Sequence, residues 1–222
     1  MLFDKHTYTT RREILRKQIG SGIILLMGNN ESPINYQSNA YKYRQDSTFL
    51  YFVGLHRDRL AAVIDADTGE ETLFGNDIDR DDIVWFGKVE SVAEMARQSG
   101  IANSLPMSKL EEIITQAQKS GRTIHFLPPY RHDTKITLME LLGIHPNMQR
   151  ESASLPLIKA VIEQRSVKSA EEIAELERAC AIGYDMHTAA MRMAVNGNIT
   201  EQEIYGHLYG IAYARGCMPS FQ

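Results

Sequence analysis

Apolar and polar positions divide the first 165 residues into alternating helical and extended segments. Thr9–Gly20 carries helix formers with Ile14, Leu15 and Ile19 on one side, and Gly20 ends the pattern. Ile23–Met27, bounded by Gly22 and Gly28, is apolar without alternation, which predicts a strand buried on both faces. A polar stretch from Asn29 to Asp46 runs into Phe49-Leu-Tyr-Phe-Val-Gly54, whose aromatic content predicts another strand. Arg59–Asp65 and Glu71–Phe74 flank Asp67-Thr68-Gly69 and predict a hairpin of antiparallel strands. Ser91–Ser99 predicts a short helix. Thr123–Leu127 predicts a strand stopped by Pro128-Pro129, and Thr134–Leu142 a helix closed by Gly143.

Capping boxes, in which a Ser or Thr and a Glu satisfy the free amides at a helix start, are read at three places. Ser108–Glu111 predicts a helix running to Lys119. Ser169–Glu172 opens a long helix with Ile173, Leu176, Ile182, Met186 and Met193 along one stripe, until Gly197. Thr200–Glu203 opens another, with Ile204, Leu208 and Ile211, closed by Gly216. Leu157–Val167 fits a strand or a helix. The pattern changes near residue 155, so the expectation is an α/β domain over residues 1–165 and a second region over 166–222.

Composition narrows the function classes. The chain has 222 residues, 43% hydrophobic and 23% charged, which suits an ordinary globular protein with a substantial core. Twenty-four Lys and Arg against 28 Asp and Glu leave a net charge of -4, so nucleic acid is not an expected partner. Two cysteines, Cys180 and Cys217, suit a reducing compartment and a cytoplasmic location. No signal-peptide pattern is visible after Met1, and the longest apolar run is too short to cross a bilayer, so no membrane is expected.

Motif by motif, the chemistry stays incomplete. Gly20-Ser21-Gly22 follows a helix and precedes a strand, the reverse of a dinucleotide-binding turn. Asp77–Asp82 begins like a calcium loop, yet Asp82 and Lys88 stand where glycine and glutamate are needed, which favours a solvated acidic loop. His125, His132 and His145 lack zinc-ligand spacing, although His132, after the Pro-Pro turn, is placed to line a cleft. Tyr43, Arg44, Gln45 and Asp46 lead directly into the aromatic segment. They read either as a loop with a local Arg44–Asp46 ion pair or as the polar rim of a cleft or subunit contact.

That last segment carries a family resemblance. Tyr43–Leu55, YRQDSTFLYFVGL, resembles a characteristic stretch of the Xaa-Pro aminopeptidases (aminopeptidase P), members of the creatinase/prolidase "pita-bread" metallopeptidase superfamily. Trp85-Phe86-Gly87 after the acidic loop is similar to the family's Trp-Gly motif, with Ile83-Val84 where a glutamate often stands. Arg165–Ile173 resembles the start of the first helix of the catalytic domain. The resemblance implies a creatinase-type N-terminal domain, with a mixed sheet flanked by helices, followed by the first helices of a truncated pita-bread domain. It implies a hydrolase that releases the N-terminal residue from peptides with proline second, using two divalent metal ions, usually manganese. The metal ligands of the family come from later in the catalytic domain, so none is assigned within this chain, and no catalytic residue either. The fragment itself is expected to be inactive and to serve cleft formation or homo-oligomer contacts, with Tyr43, Arg44, Asp46, Trp85 and His132 as the candidate residues. A prolidase or creatinase relative, or a non-catalytic pita-bread binding module, shares these motifs.

Overall fold

A computed structural model describes residues 1–79, 83–85, 87, 89–195 and 197–220. The chain divides into two compact units, Met1–Ser166 and Val167–Gln222. The first unit is built on a five-stranded mixed sheet of order β6-β5-β4-β1-β7. Its strands are β1 (Ile23–Met27), β4 (Ala61–Asp65), β5 (Glu71–Phe74), β6 (Asn103–Leu105) and β7 (Ile124–His125). A separate two-stranded sheet joins β2 (Pro33–Tyr36) and β3 (Asn39–Ala40).

β1 explains the layering. It pairs antiparallel with β4, from Ile23 opposite Asp65 to Met27 opposite Ala61, and parallel with β7. Alternate residues of a strand face opposite sides of the sheet, and both sides here are apolar. Ile24 and Leu26 enter one core with Leu15 of α1 (Lys5–Ile19), Phe49, Phe52 and Val53 of α2 (Ser47–Val53), and Met95 of α3 (Val92–Ser99). Leu157 and Val161 of α7 (Leu155–Ser166) complete that side. Ile23 and Leu25 enter a second core with Leu110 and Ile114 of α4 (Leu110–Lys119) and Leu138 of α5 (His132–Leu142). A short helix, α6 (Gln149–Ser152), links α5 to α7.

The β4–β5 hairpin forms as expected, with Ile64 opposite Glu71. Arg122 holds its turn by pairing both nitrogens with the Asp65 carboxylate at 2.8 and 2.6 Å and also bonding Asp67. Those bonds keep the Asp65 carboxyl below its usual range.

Two expectations need correcting. Phe49–Gly54, read as a strand, is the helix α2. Asp46 accepts from the amides of Thr48 and Phe49, both at 2.8 Å, and so caps the helix start. Gly54 ends it at φ +76°, where an added Cβ would lie 2.3 Å from the Tyr8 ring. Phe49, Phe52 and Val53 then fall on one buried face at helical spacing. The Ser108 box also does not form. Met107–Lys109 is a 3-10 turn and α4 starts at Leu110 without a side-chain cap, while Lys109 bonds Glu112 at 2.8 Å. The ambiguous Leu157–Val167 segment lies largely within helix α7.

The second unit holds α8 (Ala170–Ala194) and α9 (Glu201–Ala214), each opened by the capping box read from sequence. The helices pack on one another, with Ile182 and Ala212 buried, and Arg215 pairs with Asp185. Ile173, Leu176, Met191 and Val195 stay exposed. Among the described residues, no helix is long and apolar enough to cross a membrane.

Candidate functional site

Open α/β sheets form a crevice where neighbouring parallel strands send their chains to opposite faces. β1 and β7 meet that condition, since α2 packs on one face and α5 on the other. A narrow cleft of about 50 Å³ lies there, lined among others by Asn29, Asp46, Thr48, Pro129 and Tyr130. It has room for a few waters and little more.

The chain's own polar groups fill the rim. Asn29, just past β1, donates its backbone N–H to Gln45 Oε1 at 2.7 Å and its side-chain amide to the Arg44 carbonyl at 2.9 Å. Gln45 is buried and donates to the Arg57 carbonyl at 2.7 Å. Tyr43 places its hydroxyl 3.2 Å from the Asn29 carbonyl and 3.0 Å from that of Arg57, with its ring edge-on to His56. Tyr130, just past β7, accepts from Asn29 Nδ2 at 3.2 Å and donates to Asp46 Oδ2 at 3.1 Å. Arg131 bonds the Asn30 carbonyl at 2.9 Å, Ser32 at 2.5 Å and Asp133 at 3.1 Å. Burial raises the pKa of both phenols, and the Asp58 carboxylate adds to it for Tyr43 and Asp46 for Tyr130. Both therefore keep their proton at neutral pH and remain donors.

The opposite end of α2 is held differently. Arg12 has no exposed surface and donates to Glu71 at 2.9 Å, to the Phe52 carbonyl at 2.8 Å and to the Ser99 carbonyl at 2.9 Å. Ser99 donates its hydroxyl to the Val53 carbonyl at 2.6 Å, and Arg11 bonds the Tyr51 carbonyl at 3.0 Å. These contacts satisfy carbonyls that a helix C-terminus leaves free and place positive charge at its negative end. Burial lowers the Arg12 pKa and raises that of Glu71, each opposed by the charge of the other.

Of the residues singled out from sequence, the structure gathers Tyr43, Arg44 and Asp46 into this rim. Asp46 is the cap of α2. The hydrogen bonds of the rim run through neither Trp85, 83% exposed, nor His132, the exposed first residue of α5. Phe86 and part of the acidic loop, residues 80–82, lie outside the described residues. His125 is a core histidine, with Nδ1 2.6 Å from the Ser154 hydroxyl and Nε2 3.0 Å from the Ser21 carbonyl. The sequence reading assigns Asn29, Tyr130 and Arg12 no site role. The signal that finds the first two is position, since each follows the end of one of two parallel strands.

Among the described residues, no group of three or more His, Cys, Asp or Glu could hold a metal ion. The described residues therefore do not fit a two-metal centre. The rim can orient and bind through hydrogen bonds.

Residues 8–125 match the family described as aminopeptidase P, N-terminal domain. The chain is 26% identical over 198 residues to a probable Xaa-Pro aminopeptidase of Verticillium alfalfae, covering 88% of this chain and 41% of that protein. It is 25% identical over 213 residues to the Xaa-Pro aminopeptidase of Escherichia coli, covering 92% of this chain and 48% of the other. The chain spans about half the length of the curated relatives it matches. Its fold is similar to that of an Escherichia coli aminopeptidase P variant in complex with substrate, with a TM-score of 0.76 at 23% identity over 96% of this chain and 50% of that one. The zinc-substituted form of the same enzyme in complex with product gives 0.76 as well. The family match takes in β1, the whole Tyr43–Asp46 rim and α2, and covers more than half of the residues, so the chain belongs to the aminopeptidase P N-terminal domain family.

Proposed function

We propose that this chain is the N-terminal portion of a metal-dependent aminopeptidase that releases the first residue from peptides with proline in the second position. The observation that carries the reading is the family match over residues 8–125, reinforced by likeness to Xaa-Pro aminopeptidases along most of the chain. In this reading residues 1–165 form the N-terminal domain and 166–222 the first helices of the catalytic domain. The exposed apolar positions Ile173, Leu176, Met191 and Val195 fit a region that packs against further structure. Two divalent ions, manganese by family resemblance, would be held by the ligand set that the family draws from later in the catalytic domain. The part left to this chain is to complete a substrate cleft or a contact between copies of the enzyme in the cytoplasm. Arg44, Tyr43 and Asp46 are the residues proposed for it, with Trp85 and His132 as further surface candidates.

A paired assay tests this. The purified 222-residue chain, supplied with manganese, should release no amino acid from a Xaa-Pro peptide, whereas a longer protein containing it should. Release by the chain alone, or a longer protein inert toward such peptides, would overturn the reading.

A further inference from the structure

We infer that Tyr130 is a positioning residue, which fixes the Tyr43–Asp46 segment so that Arg44 is presented in one orientation. The inference rests on the role proposed above for Arg44 and adds a residue from a distant part of the chain. Pro128 and Pro129 stiffen the connection after β7, since each ring presets its backbone torsion. Tyr130 is 65% exposed, and its hydroxyl is held by Asn29 and Asp46. That hydroxyl accepts from Asn29 Nδ2 at 3.2 Å, and its single proton goes to Asp46 Oδ2 at 3.1 Å, a charged acceptor nearer than Asn29 Oδ1 at 3.5 Å. A hydrogen bond to a carboxylate is stronger than one to a neutral acceptor.

The other carboxylate oxygen is already committed. Asp46 Oδ1 accepts from both Thr48 and Phe49, so with Tyr130 in place both oxygens are engaged and the side chain is held in one rotamer. Asn29, the second partner of the Tyr130 hydroxyl, also grips the Arg44 carbonyl at 2.9 Å. The backbone on either side of Gln45 is thereby tied, through one phenol, to a loop that follows a different strand. Arg131 adds a parallel tie to Asn30 and Ser32. Because the Tyr130 ring is largely outside the core, removing its hydroxyl alters position without opening a cavity.

Tyr130→Phe separates this role from folding. In the 222-residue chain the amides of Thr48 and Phe49 should exchange with solvent about fivefold faster, as expected for a loosened cap. Amides of β4 should be unchanged. In the longer enzyme the variant should raise KM for a Xaa-Pro peptide about fivefold with kcat within about twofold, and should add nothing in an Arg44→Ala background. Unchanged exchange at Thr48 and Phe49 overturns the proposal whatever the activity. An equal KM increase in both backgrounds overturns it too, since Tyr130 would then act independently of Arg44. If Arg44→Ala alone leaves an active enzyme with unaltered KM and oligomeric state, the role given to Arg44 fails, and the exchange result alone decides whether Tyr130 positions the segment.

Discussion

The two ends of α2, a helix of seven residues, are held by different kinds of contact. At the C-terminal end, Arg12 lies wholly inside the protein and joins three segments, through Glu71, Phe52 and Ser99. A charge taken out of water this completely must be paired, and removing it leaves its partners stranded. At the N-terminal end, Asp46 and Tyr130 keep contact with solvent, and their bonds run between neutral or partly exposed groups. Bonds of that kind contribute little individually and can be adjusted without unfolding the domain.

Arg12→Ala should have the largest effect of any change near α2. It removes a buried cation and strands Glu71 and two helix-end carbonyls, which should lower stability by about 3–5 kcal/mol. Urea denaturation of the 222-residue chain measures this directly. A loss below about 1 kcal/mol would mean that the buried end is no firmer than the exposed one, and the contrast would collapse.

That contrast was only partly legible in the sequence. The boxes at Ser169 and Thr200 were readable because a capping box is local, its two members three residues apart, and both helices start where the boxes place them. Phe49–Val53 misled because aromatic and β-branched side chains favour strands, whereas Asp46 before the run and Gly54 after it are helix boundaries. Tertiary burial of Phe49, Phe52 and Val53 decided for the helix. Ser108 misled in the other direction, since a 3-10 turn there leaves its hydroxyl without the geometry of a cap. In the rim, Tyr43, Arg44 and Asp46 fall within four consecutive residues, and that polar run leading into an aromatic segment is visible locally. Tyr130 stands 84 residues from Asp46 and 101 from Asn29, and Arg12 stands 87 from Ser99, so no spacing rule could connect them.

Asp46→Ala sharpens the comparison at an intermediate level. The substitution deletes the cap of α2 and the acceptor of the Tyr130 hydroxyl together, with an expected loss of about 1–2 kcal/mol. Asp46→Asn, which can still cap, should recover much of that stability while weakening the bond to Tyr130. Thermal unfolding of the two variants side by side distinguishes capping from the Tyr130 link. Equal losses would show that the negative charge, and not the cap, holds this end.

Arg44→Ala should have the smallest effect on folding and the clearest effect on function. Arg44 is exposed, and its backbone carbonyl, which accepts from Asn29, stays in place in the variant. Stability should therefore stay within about 0.5 kcal/mol of the parent chain. What the substitution removes is a planar cation able to hydrogen-bond a carboxylate or a backbone carbonyl on a substrate or a second copy of the protein. In a longer protein containing this chain, the proposed role predicts a raised KM or a shifted oligomer equilibrium, with kcat of the assembled form little changed. Steady-state kinetics together with sedimentation at several protein concentrations would separate those two outcomes. Unchanged KM and unchanged sedimentation would leave Arg44 as no more than a loop residue before a helix, and a large loss of folded protein would assign the exposed end of α2 to stability after all.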